Sequence, residues 1–430
     1  MISESGQKPF TKDFRSMINI VIFNSLGFFF LDFLIPYFTS QQLNASGTEI
    51  GLIVSVQVTG FLITSFLTGY LTDKVKSRTK LILLGSFGRG TAYFILYLSL
   101  ILKSLVGIGL GTFSIGFFAG FFWIPFDTLI AEKSNKDHRA YAYGRRDSAI
   151  GKGILIGAFL GFGIFNFTVS YNLSPFIIYL AILIFGIANF YAGWLFIRKV
   201  DETIKFPQDN SLNLEDLGEN RNSNNHKFLI IGLAFILVVL LLANINGSLA
   251  KPFLNVYLLE VIVNDPIIAN LAYIPSGIIS MLLAPKLGKL ADKVKPSLGI
   301  TFASILGALM TWIIINTRNI LVFSIVLIFD STVVSTANLI LQNLLSRMSI
   351  KHRGKVFGSF RFFINLGSII GPIIGGLAWD TFGFSAPFII SIFVELSLIP
   401  FYIIAIYLIK PHLREKYKEK IKISPDISSI

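Results

Sequence analysis

Twelve apolar runs follow one another along the chain, each close to the roughly twenty residues that a helix needs to cross a hydrocarbon core. They lie near 15–40, 46–70, 80–102, 105–131, 147–169 and 173–197, then near 229–258, 264–285, 297–317, 320–345, 357–379 and 382–409. Some neighbours are divided by only a few polar positions, as at Leu102-Lys103-Ser104 and Asn316-Thr317-Arg318. The long interruption falls in the middle, where 206–227 reads FPQDNSLNLEDLGENRNSNNHK, too rich in Asn, Asp and Glu to bury anything. The pattern predicts an all-α integral membrane protein with a six-helix bundle over 1–199, a flexible linker over 200–227 and a second six-helix bundle over 228–430.

Composition supports a lipid environment. Charged residues are 14% of the 430 positions and apolar ones 53%, whereas soluble domains carry about 25% charge. The net charge of +13 does not point to nucleic acid, because the cations sit in loops between apolar runs rather than on one wet face. Their distribution follows membrane topology instead. Alternate loops hold Lys74, Lys76, Arg78 and Lys80, then Lys133, Lys136 and Arg139, then Lys286, Lys289, Lys293 and Lys295, then Lys351, Arg353 and Lys355. The opposite loops offer only Lys103 and Arg318. Both basic termini and the linker are therefore expected in the cytoplasm, with the protein in the plasma membrane. No short apolar stretch ahead of a small-residue cleavage site opens the chain, so no cleaved signal peptide is expected.

Several chemistries drop out. There is no cysteine, and His138, His226, His352 and His412 all lie in hydrophilic segments, so no metal site or cofactor is expected. An intramembrane enzyme would need a histidine or an activated nucleophile within the apolar runs, and no nucleotide-binding motif is present to use ATP. A proton carrier inside the runs has to be a carboxylate.

The two halves repeat. Gly69-Tyr70-Leu71-Thr72-Asp73-Lys74-Val75-Lys76 reappears as Gly288-Lys289-Leu290-Ala291-Asp292-Lys293-Val294-Lys295, an offset of 292 − 73 = 219. His138-Arg139 with Gly144, Gly153, Gly157 and Gly161 matches His352-Arg353 with Gly358, Gly367, Gly371 and Gly375, an offset of 352 − 138 = 214. Halves that begin on the same side and hold an even number of helices are parallel repeats, related by a pseudo-twofold axis along the membrane normal. Glycines spaced by four form a smooth stripe along which helices approach closely.

The Gly-x-Leu-x-Asp-Lys motif between the second and third helices, echoed between the eighth and ninth, resembles the signature loop of the major facilitator superfamily. Lys76 stands where that pattern has glycine and Ser77 where it has a base, while Arg78 keeps the second base. The resemblance implies a secondary transporter that works by alternating access. It also implies a closing latch built from Gly69, Asp73, Lys74, Arg78 and Asp127, with a second copy at Gly288, Asp292 and Lys293. Helices one, four, seven and ten would surround the central cavity.

Ionisable groups deep in apolar runs cost several kcal/mol unless they face a partner or water. Asp32, Lys251, Asp330 and Glu395 are such groups, with Arg89 and Lys152 behind them. Asp32 plus the offset of 219 gives 251, so Asp32 and Lys251 occupy equivalent positions. Together with Asp330 they are expected to converge on the cavity and bind substrate and protons, while Glu395 and Arg89 are expected to pair structurally. The run Asn244-Ile245-Asn246-Gly247-Ser248 and then Pro252 is expected to break the seventh helix beside the site. Trp123, Tyr37, Tyr257, Gln57 and Asn338 are candidates for stacking or hydrogen bonds. The expected activity is proton-coupled movement of a small solute by a monomer in the bilayer, leaning to export of amphipathic compounds. The alternatives are proton-driven uptake of a polar metabolite or sugar, and a transporter-like sensor that moves nothing.

Overall fold

A computed structural model describes residues 9–74, 77–135, 138–206, 223–346 and 353–409, with the side chains at 72–74, 139–140, 223–230, 280–281, 284–286, 288–293, 342–346 and 353–359 left out. Apart from an isolated bridge between Phe10 and Ser134, the described residues form no β structure. The first apolar run is α1 (Phe14–Asn24) and α2 (Phe28–Leu43), separated by a short turn. Then come α3 (Gly47–Lys74), α4 (Arg78–Ile101), α5 (Leu105–Glu132) and α6 (Arg139–Ser170). The sixth run is α7 (Pro175–Ile178) with α8 (Leu180–Lys199). The seventh is α9 (Ser223–Leu249), α10 (Phe253–Tyr257) and a π-helical turn, Leu258–Ile262. The last five are α11 (Pro266–Lys293), α12 (Pro296–Asn316), α13 (Ile320–Ser346), α14 (Arg353–Phe382) and α15 (Ala386–Ile409). Eleven spans are long and apolar enough to cross a membrane over their described residues, and α11 contributes the shorter apolar stretch Pro266–Ile279.

The end of the molecule far from both termini, here called distal, has short turns with local caps. Asn44, Lys103, Asn172 and Gly383 take left-handed backbone there, which ends one helix and reverses the chain. The next helix is then capped by its own loop. Ser104 accepts from Gly107 N–H at 3.1 Å, Asp265 from Ile267 N–H at 2.8 Å and Asn319 from Leu321 N–H at 2.9 Å. At α3 the Glu49 carboxylate accepts from Ser46 N–H at 2.8 Å while Ser46 Oγ accepts from Glu49 N–H at 3.2 Å, a reciprocal capping box.

The sequence repeat is visible in the packing. In the first half α6 and α8 pack on α1, α5 packs on α3 and α4, and α8 packs on α4. In the second half α14 and α15 pack on α9, α13 packs on α11 and α12, and α15 packs on α12. Each pair has its counterpart, which is the pseudo-twofold arrangement of two six-helix bundles. The predicted glycine stripes lie in matching contacts. Gly153, Gly157 and Gly161 face Ile22, Leu26 and Phe30 of the first run, and Gly367, Gly371 and Gly375 face Leu241, Ile245 and Leu249 of the seventh. Between the bundles α3 lies along α14, so closely that a side chain on Gly51 would overlap the Pro372 carbonyl. The equivalent pair, α6 and α11, touches more sparingly.

Two expectations about irregular backbone need correction. The break in the seventh run falls at Ala250-Lys251-Pro252, and Asn244–Ser248 stay helical. The start of the linker is not free: Lys133, only 1% exposed, donates to Asp201 O at 2.6 Å and Ile204 O at 2.9 Å, and to Asp13 Oδ2 at 2.6 Å. Residues 200–206 are thereby tied to the ends of α5 and α8, and 207–222 lie outside the described residues.

Candidate functional site

A cavity of about 320 Å³ lies at mid-depth between the bundles. Phe28, Phe61, Trp123, Val58, Ile115, Gly116 and Ala119 line it from the first bundle together with Gln57, and Asn365 and Ser368 of α14 face them from the second. Among the described residues the lining is apolar with three aromatic rings, two amides and a hydroxyl and no charged side chain, which suits a flat amphipathic ligand. Gln57 and Trp123 were legible candidates, whereas Tyr37 and Tyr257 belong to the packed core, the latter donating to Ile315 O at 2.8 Å.

Beyond the cavity the distal end is closed by contacts between bundles. Asp32 lies one helical turn past Phe28 on the same face of α2, and Lys251 Nζ donates to its Oδ2 at 2.9 Å. The pair is not packed over by neighbouring side chains, with 63% of the Lys251 side chain and 46% of Asp32 exposed. Tyr273 of α11 stacks on Phe29 at 5.2 Å, and Asn270 donates to Asn166 Oδ1 at 2.9 Å. Gln41 donates to Glu260 Oε1 at 2.6 Å. Asp380 of α14 caps α3 from the opposite bundle, accepting from Gly47 N–H at 2.6 Å, Thr48 N–H at 2.8 Å and the Thr48 hydroxyl at 2.6 Å. Asp380 and Glu260 were missed in the sequence; the signal for Asp380 was an acid at the distal end of the eleventh run, facing the start of the second.

Asp330 does not join Asp32 and Lys251. It lies within electrostatic reach of Glu395 inside the second bundle. Glu395 Oε2 accepts from Asn246 Nδ2 at 2.7 Å and Oε1 from the Ser304 hydroxyl at 2.5 Å. Asn244 turns back on its own helix, donating to Leu240 O at 2.7 Å. The predicted triad is therefore an ion pair between bundles and a separate carboxylate cluster within one, because α13 packs on α11 and α12 rather than on α2.

The latch is also rearranged. Arg78 pairs with Glu132, the last residue of α5, and not with Asp127, which lies more than a helical turn deeper on another face. Asp127 pairs with Arg146 at 2.5 Å and is within electrostatic reach of Arg361 from the second bundle. Gly69 sits in α3 with open space beside it. Asp73 and Lys74 close α3 and Asp292 and Lys293 close α11, so the motif occupies helix ends; their side chains, and Gly288, lie outside the described ones. Glu202 of the linker caps α4, accepting from the Ser77 hydroxyl at 2.8 Å, Arg78 N–H at 3.1 Å and Thr79 N–H. Burial opposes charge on Glu202, but these donors outweigh it and hold its carboxyl below the usual glutamate range.

Arg89 finds no acid among the described residues. It is fully buried, donates to Asn24 Oδ1, and packs its guanidinium over Phe28 at 4.9 Å from the ring centroid. The expected structural ion pair is replaced by an amide and an aromatic face.

The profile of the Major Facilitator Superfamily matches residues 17–349. With the two-bundle fold already in view, the chain belongs to that superfamily of membrane transporters. It is similar to the multidrug resistance protein MdtG of Yersinia enterocolitica serotype O:8, biotype 1B, with 25% identity over 380 residues that cover 83% of this chain and 84% of the relative. MdtG of Escherichia coli strain SMS-3-5 is 26% identical over 371 residues, covering 82% of this chain and 84% of that protein. Among solved structures, a bacterial homologue of the human lysosomal transporter Spinster, inward-facing and occupied, superposes with a TM-score of 0.70 at 14% identity, covering 94% of this chain and 99% of its own. A point mutant of the nucleoside transporter NupG gives 0.69 at 11%, covering 91% and 99%. At such identities these two structures speak for the fold alone.

Proposed function

We propose that this transporter is a secondary active exporter of amphipathic small molecules, driven by protons through alternating access. The observation that carries the reading is the placement of an aromatic cavity on the terminal side of a closure made of breakable polar contacts. Chief among these is the exposed pair Lys251–Asp32 at 2.9 Å. The pair joins one bundle to the other and is not packed over, so it can separate when the bundles rock. Parting of Lys251 from Asp32 would favour opening, and Asp32 and the Asp330–Glu395 cluster are the carboxylate candidates for coupling. The resemblance to two proteins named for multidrug resistance favours export. In this reading the halves divide at the linker 200–227, both termini and the linker face the cytoplasm, and the protein works as a monomer in the plasma membrane. The latch residues Asp73, Lys74 and Asp127, with Asp292 and Lys293, meet across the cytoplasmic face in the opposite state.

The test is flux from vesicles reconstituted with purified protein under an imposed pH gradient. The expected result is gradient-dependent efflux of planar amphipathic dyes that collapses when the gradient is dissipated. Efflux of equal rate without a gradient, or movement of no compound across a broad panel, removes the reading.

A further inference from the structure

Among the described residues that line it the cavity carries no charged side chain, yet a charge rests against one of its lining rings. Phe28 lines the cavity with its ring centroid 6.4 Å from that of Trp123, and the Arg89 guanidinium carbon stands 4.9 Å from the same Phe28 centroid. Arg89 is completely buried, and its Nε and Nη2 find no acceptor. No carboxylate pairs with it among the described residues; its ionisable neighbour is Tyr93. A guanidinium does not give up its proton in a protein, so this is a fixed positive charge held against a ring that lines the ligand space.

Among the other charges of the core, Lys152 of α6 and Arg361 of α14 are exposed, the latter within electrostatic reach of Asp127, and the rest are balanced or placed elsewhere. Asp32 is neutralised by Lys251, and Asp127 by Arg146. Glu395 and Asp330 sit inside the second bundle, where Asn246 and Ser304 hold Glu395. Arg89 also lies at the end of α1, where its contact with Asn24 supports the turn before α2. That structural duty leaves its charge in place.

We propose that the cavity takes planar amphipathic molecules that are anionic or uncharged and turns away lipophilic cations. Gln57, Asn365 and Ser368 supply the hydrogen bonds a carboxylate or carboxamide needs, while a cation would lose its water with no carboxylate among the described lining residues to receive it. Across roughly 10 Å at an effective dielectric near 20, the Arg89 charge alone shifts affinity by about tenfold between neighbouring charge states. The inference names the cargo class of the export reading, and its test is an equilibrium measurement that needs no transport.

The experiment is calorimetric titration of the purified full chain with naphthoate, naphthamide and naphthylmethylammonium, which share a ring and differ in charge. Naphthoate and naphthamide are expected to bind at least about tenfold more tightly than the ammonium. In Arg89→Gln the preference is expected to fall towards unity, and in Arg89→Lys it is expected to persist. Tighter or equal binding of the ammonium by the wild-type protein overturns the proposal, as does failure of all three probes to bind. An unchanged ratio in a folded Arg89→Gln protein overturns it as well. The wild-type ratio decides alone if the substitution does not fold. Preferential binding without flux would sink export and leave this inference standing.

Discussion

Lys251 reaches Asp32 because the seventh run stops being helical beside it: α9 ends at Leu249 and α10 begins at Phe253. The lysine is carried by a turn, and Asn255 Nδ2 approaches Asp32 O at 3.4 Å from the following helix. Since neither side chain is packed over, Asp32→Asn and Lys251→Ala should each leave the protein folded while removing gradient-driven flux. Thermal melts and vesicle flux on the same preparations check the two effects together. Glu202 makes a prediction about pH. A carboxyl held below its unfolded range stabilises the fold fully above that range, and the contribution disappears as pH falls through the folded value. Glu202→Gln should therefore cost on the order of 1 kcal/mol at neutral pH, the worth of a helix cap, and nothing in acid. Melting curves of both proteins across pH measure the difference. Positions deep in apolar runs were legible because burial of charge is costly wherever it occurs. Their partners were not: Arg78 with Glu132 rather than Asp127, and Asp330 beside Glu395 rather than Lys251, depend on helix rotation, which hydropathy does not encode.

At the scale of elements, spacing by four residues foretold which faces would meet. Gly367, Gly371 and Gly375 press α14 onto α9 as Gly153, Gly157 and Gly161 press α6 onto the first run. A side chain on Gly371 would meet the Ser248 hydroxyl and the Ile245 carbonyl, whereas Gly163 has nothing within 4 Å. Gly371→Val should cost about 1–3 kcal/mol by overpacking, and Gly163→Val should be close to neutral, as read from melting temperatures in detergent. The turn that divides α1 from α2 was not legible, since Asn24-Ser25-Leu26-Gly27 interrupts an apolar run only briefly. Its causes are tertiary: Arg89 holds Asn24, and a Cβ on Gly27 would stand 2.6 Å from the Tyr93 hydroxyl oxygen. The break in the seventh run lies six residues past Asn244, so the two halves bend at different depths (25–27 plus 219 gives 244–246, against 250–252). The equivalence of Asp32 and Lys251 survives this offset, since Ile22, Leu26 and Phe30 and their counterparts Leu241, Ile245 and Leu249 meet matched glycines at the same spacing of 219.

For the whole molecule, twofold repetition supplies two bundles with the same internal packing and unequal contacts between them, tight along α3 and α14 and sparing along α6 and α11. Rocking has to break the distal set, above all the cap that Asp380 places on α3. Loss of charge-assisted bonds worth about 1.5–3 kcal/mol should move the balance between states by tenfold or more in Asp380→Ala. The absence of cysteine allows labels to be introduced without removing native residues. Spin labels on Tyr171→Cys and Phe382→Cys, both exposed at the distal end of opposite bundles, report the separation directly by pulsed dipolar spectroscopy. The account predicts two distances in the otherwise native protein, with the longer one enriched by Asp380→Ala and by acid on the distal side. A single distance that neither the substitution nor a pH gradient alters would contradict alternating access in this chain.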